Sequence, residues 1–191
     1  MSLADNALVT LDDAKTFLQK TTDKDVGILE LLINGVSQEF DRFCGRILKQ
    51  ATTTALYLDG NGEKILDLPN WPAADLGTVT EDGTLLTEGD DDDYILYSSD
   101  DSAYLYRVSG IWIKKRKSVL ISTADLGFSP IPADIQLACL KQCAKEFQTM
   151  ALKEWGETSR STGGGGSVSL VEGGLLKDVE ATLKRYRRYG L

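Results

Sequence analysis

The residues best equipped for chemistry are clustered carboxylates, one run of cations and a pair of thiols. Asp59-Gly60-Asn61-Gly62-Glu63 sets oxygen-bearing side chains at alternate positions, as a calcium loop does. An EF-hand would need glycine where Lys64 stands and a bidentate glutamate where Asn70 stands. The flanks have strand character, so Asp-Gly and Asn-Gly read here as the turn of a hairpin. Asp90 to Asp93 would attract a divalent cation, but four adjacent carboxylates on a loop repel one another and read better as a solvated turn. Lys114-Lys115-Arg116-Lys117 has the composition of a nucleic-acid patch. It lies between Ile111-Trp112-Ile113 and Val119-Leu120-Ile121, which makes it a charged loop joining two strands. Contact with another subunit, through these cations and Trp112, is its third use.

Cys139 and Cys143 stand one helical turn apart, but a thiolate metal site needs further ligands and the chain has no histidine to supply them. Core packing accounts for both. The same lack of histidine removes Ser-His and Cys-His catalysis. Gly163 to Gly166 lacks the ending of a P-loop, and Gly60 to Ile65 lacks the third glycine of a dinucleotide fingerprint. Neither cofactor nor metal is expected. With 29 acids a carboxylate pair can always be drawn, yet none forms a recognisable acid-base constellation. A small metal-dependent or carboxylate enzyme using Asp59 or Asp91 is the distant alternative to a structural protein.

Periodicity shows which elements would position these groups. Thr10 and Asp13 open a short helix over 10–20 in the manner of a capping box. Asp23 caps a second, long helix in which Val26, Leu29, Leu32, Ile33, Val36, Phe40, Phe43 and Ile47 form one stripe. From residue 51 β-branched and aromatic runs alternate with turn signals, giving strands at 52–58, 64–68, 78–81, around 85, at 94–97, 104–108 and 119–123. Pro132 opens a third helix whose stripe is Ile135, Cys139, Cys143, Phe147 and Met150, running to about Trp155 and packing on the second. Leu175, Leu176, Val179, Leu183 and Tyr186 mark a last amphipathic helix.

These elements group into a helical body at 1–50 and 124–158, a β insertion at 51–123, a glycine-rich flexible linker at 159–174 and a basic arm at 175–191. The expected fold class is α+β, mainly α: a small helical bundle, its long second and third helices packed together, with an inserted antiparallel β module and a C-terminal helical arm. The arm ends KRYRRYG in a chain of net charge -8. Two readings stay open for it: cations complementing a helix dipole, or an amphipathic segment offered to a partner groove.

At 191 residues the chain can bury roughly 70% of its unfolded surface, so a core needs no staples. The acidic balance argues against a protein built to hold nucleic acid. Three cysteines without a CxxC pair suit free thiols. No basic-then-apolar leader opens the sequence and no run of about 18 apolar residues occurs, so neither classical secretion nor a membrane partner is expected.

Five strings, in order, resemble the head-tail connector or adaptor proteins of tailed bacteriophages: VTLDDAKTFL, DVGILELLINGVSQEFDRFCGRIL, YLDGNGEKILDLPNWPA, SVLISTADLGFSPIPADIQLACL and TLKRYRRYG. Each is largely capping, patterning and turn chemistry; their order carries the resemblance. The chain departs from the family pattern at Arg185, commonly proline there, and at Lys114 to Lys117, commonly a proline-glycine turn. The resemblance implies a structural subunit of the virion neck, assembled in the bacterial host cytoplasm into a homo-oligomeric ring, usually a dodecamer. That ring sits between the portal protein and a stopper or tail-completion protein. Double-stranded DNA would pass through its channel during packaging and ejection without specific binding. Another neck or tail-completion ring is the near alternative. The resemblance places portal contact in the arm, at Leu183, Tyr186, Arg187, Arg188 and Tyr189. Truncation after Gly174 should leave a folded protein that no longer binds portal.

Overall fold

A computed structural model of the chain describes residues 2–19, 25–151, 159–162, 166–169 and 174–188, which divide into two compact units. The expected cap at Asp23, the helix end near Trp155 and the arm residue Tyr189 lie outside the described residues.

The first unit comprises the N-terminal segment and four helices. α1 (Leu11–Phe17) starts at the expected capping box, where the Thr10 hydroxyl accepts from the Asp13 amide at 3.1 Å and the Asp13 carboxylate accepts from the Thr10 amide at 3.2 Å. Reciprocal bonds of this kind satisfy two amides that a helix start leaves unpaired. α2 (Val26–Cys44) buries Leu29, Ile33, Val36, Ser37, Phe40 and Cys44 and is terminated by Gly45 at φ +66, the left-handed geometry that glycine tolerates best. Ahead of α1, Ala7, Leu8 and Val9 are buried, with the Leu8 amide donating to Ser37 Oγ at 3.1 Å. α3 (Ala133–Ala151) contributes Ile135, Ala138, Cys139 and Cys143 to the same core. α4 (Lys177–Leu183), continued by a 3₁₀ turn over Lys184–Tyr186, adds Val179 and Leu183. Ser159–Thr162 (here β9) and Gly166–Ser169 (β10) pair as an antiparallel hairpin within the glycine-rich stretch.

The second unit holds eight strands in two antiparallel sheets. β8 (Val119–Leu126) is the hub of the larger sheet. β1 (Ala51–Leu58) lies on one side of it, and β3 (Ala73–Leu76) and β4 (Val79–Glu81) share the other; β5 (Thr84–Leu86) pairs with β4. The smaller sheet runs β2 (Ile65–Asp67), β7 (Ala103–Arg107), β6 (Tyr94–Ser98). Leu66, Leu105, Val119, Ile121 and the fully buried Trp112 belong to one core fed by both sheets. The outward face of the smaller sheet carries Ile65 and Tyr106 in one row and Tyr104 and Tyr97 in the next, with the Tyr97 and Tyr104 rings stacked at 5.1 Å.

Two expectations are corrected. The molecule is not a mainly helical bundle organised on long packed second and third helices. Among the described residues ten strands hold nearly as many residues as four helices, and two of those helices have only seven residues each. Helical period was legible because a stripe repeats over five turns; three-residue strands carry too few alternations to weigh equally. Nor does Asp59 to Gly62 close a hairpin, since β1 pairs with β8 and β2 with β7, placing the flanking strands in different sheets. A turn signal says that the chain reverses, but strand partners are selected by long-range burial.

Candidate functional site

Gly60 donates its amide to Lys115 O at 3.0 Å and to Ser118 Oγ at 3.1 Å. A Cβ there would lie 1.9 Å from Ile113 O, so only glycine permits this approach. The Asp59 carboxylate accepts from the Lys117 amide at 2.7 Å, and Asn61 Oδ1 accepts from the Glu63 amide at 2.9 Å. The alternate oxygens that suggested a calcium loop are thus employed in fastening two loops together. They bring Asp59 to Glu63 against Lys114 to Lys117, a juxtaposition spacing alone did not reveal.

All four cations of that second loop are exposed. Lys115 pairs with Asp82, and Lys117 Nζ sits 5.6 Å from the Tyr57 ring centroid. Trp112 has the opposite character. Its indole N–H donates to Lys64 O at 3.1 Å, and Arg107 lies over its ring at 5.3 Å while meeting the buried Glu81 at 3.4 Å. Trp112 is therefore a core residue of the β unit and presents no surface to another subunit. Ile111 and Ile113 on either side of it are exposed and form no strand ladder, unlike the expected strand.

The Asp90 to Asp92 side chains are exposed, and the Asp93 carboxylate accepts from the Thr87 amide at 2.9 Å, as suits a solvated turn. Burial, and to a lesser degree the nearby Glu88 carboxylate, pushes the Tyr94 hydroxyl up to about 12, so that phenol stays neutral. The Cys139 thiol is held well above its ordinary value by its hydrogen bond with Cys143 and by burial. A thiol kept protonated is a packing group rather than a nucleophile.

The described part of the arm packs on its own helical unit. Leu183 is fully buried, and its carbonyl accepts from Cys44 Sγ at 3.7 Å. Tyr186 donates its hydroxyl to the Asp134 carboxylate, at 2.8 and 2.9 Å to the two oxygens, and the Arg188 amide donates to Cys44 O at 2.8 Å. Buried Gln142 fastens the entry to α4, accepting from the Leu176 amide at 3.0 Å and donating to Gly174 O at 3.2 Å. Lys141 meets Asp178 at 2.7 Å and holds its carboxyl below the ordinary range. Arg185 and Arg187 remain exposed, with Arg187 5.8 Å from the Phe43 ring centroid. Sequence reading named Leu183 and Tyr186 but not the groups that receive them, since Cys44, Asp134 and Gln142 are far away along the chain.

No curated protein sequence matches the chain. Its fold is similar to that of subunits in solved gene transfer agent particles. One, from the neck of an empty particle computed with C6 symmetry, has a TM-score of 0.65 at 14% identity, covering 100% of this chain and 95% of the other. Another, from the neck of a native particle computed with C12 symmetry, has a TM-score of 0.62 at 13% identity, covering 100% and 94%. A third, from the native virion, scores 0.63 at 13% identity over 100% and 95%. The family model for head completion protein matches residues 7–189, taking in both units and nearly the whole arm. Order of elements, geometry and family match converge, and the chain belongs to the head completion protein family: it is a structural protein of the phage particle, not an enzyme.

Proposed function

We propose that the chain is a head-tail adaptor: a subunit of a closed ring, twelve copies being the expected number, that joins the portal vertex to the stopper or tail and leaves a central channel for DNA. The observation carrying this reading is the family match over residues 7–189 together with a full-length likeness to neck subunits solved under cyclic symmetry. A ring of identical subunits needs two different surfaces that fit one another, and the chain offers several chemically distinct exposed patches.

The arm is the proposed portal-facing element. Leu183 and Tyr186 hold it on the helical unit, Arg187 is exposed, and Arg187, Arg188 and Tyr189 are proposed to meet portal acids and aromatic groups. The exposed cations Lys114 to Lys117 are proposed to meet a neighbouring subunit or the stopper. About twelve copies of a chain of net charge -8 would also present an acidic wall that keeps DNA from adhering as it passes, if the acids line the channel.

Arg187→Glu with Arg188→Glu tests the arm. The pair should weaken binding to purified portal at least tenfold while leaving the circular dichroism spectrum that of a folded protein. Undiminished portal binding by this variant would remove the arm from the account.

A further inference from the structure

Two parts of the chain look like the two halves of one sheet interaction. β1 is an edge strand that pairs only with β8 among the described residues. Ala51 to Ala55 are all exposed although successive side chains of a strand point to opposite faces, so neither face of this half-strand is covered. Alternate residues border different grooves. Ala51 and Thr53 border one completed by Ile47, Pro69 and Leu126, and Thr52 borders one completed by Phe128 and Pro130. Edges are normally blunted by lysine, proline or a covering element, and 51–58 contains neither residue. Ala55, at φ +53, interrupts the extended run and leaves four residues, Ala51 to Thr54, as the flat part of the edge.

The other half is the hairpin. β9 and β10 have four residues each and form a sheet of their own. An isolated two-stranded hairpin is marginal in water. The sequences SRST and GSVS hold one aliphatic residue larger than alanine, too little for an apolar face. Its single charge, Arg160, is opposite in sign to Asp125, which bonds Thr52 across the larger sheet at 2.5 Å.

We propose that the β9–β10 hairpin of one copy adds to the open edge of β1 in the next copy, extending that copy's five-stranded sheet by two strands. This rests on the ring reading and says how the ring is joined. Four-residue strands match a four-residue edge, and main-chain hydrogen bonds supply the attachment. Donor and acceptor surfaces differ, so the contact runs head to tail and closes when the rotation between copies allows.

The test uses the full-length protein carrying Thr53→Cys with Ser161→Cys, and separately Thr53→Cys with Ser167→Cys, so that either hairpin strand is covered as the inner one. Cys44, Cys139 and Cys143 are buried and add little background. A short bismaleimide is applied under conditions in which wild type forms rings by electron microscopy, alone or on portal. One of the pairs should give a denaturing-gel ladder of covalent multimers, and an equimolar mixture of the single-cysteine variants should give covalent dimers. Rings without a ladder, or with only an intramolecular link, would overturn the edge pairing and leave the ring reading standing. Absence of wild-type rings both alone and with portal would overturn both. Ser161→Pro with Ser167→Pro, which removes two main-chain donors, should raise the concentration needed for ring formation at least tenfold without lowering the melting temperature; unaltered assembly would count against the proposal.

Discussion

The two units reach a buried core by opposite routes. The β unit closes over Trp112 with residues drawn from one continuous stretch, 45–131. The helical unit joins two stretches that flank it in sequence, and its last part, 174–188, is fastened at Cys44, Asp134 and Gln142. What looked in sequence like a tethered appendage is integral to a core: its hydrophobic side is already engaged, so the proposed portal contact falls to the cationic side.

That contrast can be broken most severely at Trp112. Trp112→Ala removes the largest fully buried side chain of the β unit and should lower stability by about 3–5 kcal/mol in urea unfolding, with near-ultraviolet dichroism lost. Survival of a native-like melting transition would show that the two sheets do not depend on that shared centre.

Next in size is Leu183→Ala, expected at about 2–5 kcal/mol because Leu183 is fully buried in the helical unit. Truncation after Gly174 removes Val179 and Leu183 together and should be worse, giving a protein that aggregates or melts early. The bare sequence suggested a harmless truncation; a truncated chain as stable as wild type would restore the tethered-arm picture.

Tyr186→Phe sharpens the same point at smaller scale. It deletes the hydrogen bond to the Asp134 carboxylate and should cost about 1.5–3 kcal/mol at neutral pH, less at high salt. A neutral result would mean that burial alone holds the arm.

The smallest effect belongs to Asp178. Lys141 lowers its carboxyl below the ordinary value, so its contribution is present above the ordinary carboxylate range and is lost as pH falls through the lowered value. Asp178 is exposed, so Asp178→Asn should leave the melting temperature nearly unchanged at neutral pH and remove a slight acid-side dependence. A large drop at pH 7 would reveal a burial that the geometry does not show.

How much was legible follows from where each determinant lies. The Thr10–Asp13 box, the α2 stripe from Leu29 to Phe40 and the starts of β4 to β8 are local signals that appear within a residue or two of expectation, whereas Ile47, the last residue of the expected stripe, lies beyond the end of α2 and is exposed. The partnering of β1 with β8, some 68 residues away, and the burial of Trp112 between sheets depend on contacts that no window of sequence contains. For the same reason the turn at Asp59 to Gly62 has the local signature of a hairpin, and helical period outweighs strand period in the sequence. Of the candidate site, the cationic residues were visible as charge contrast. The groups that anchor the arm, and the uncovered edge of β1, required the fold.

The proposed function requires assembly into a ring at the neck. Cryo-electron microscopy of the chain bound to its portal tests this most directly. A closed ring of copies seated on the portal, with their basic arms toward it and a DNA-wide channel on the axis, is the expected result. Single copies scattered on the portal, or no bound density at saturating concentration, would contradict it.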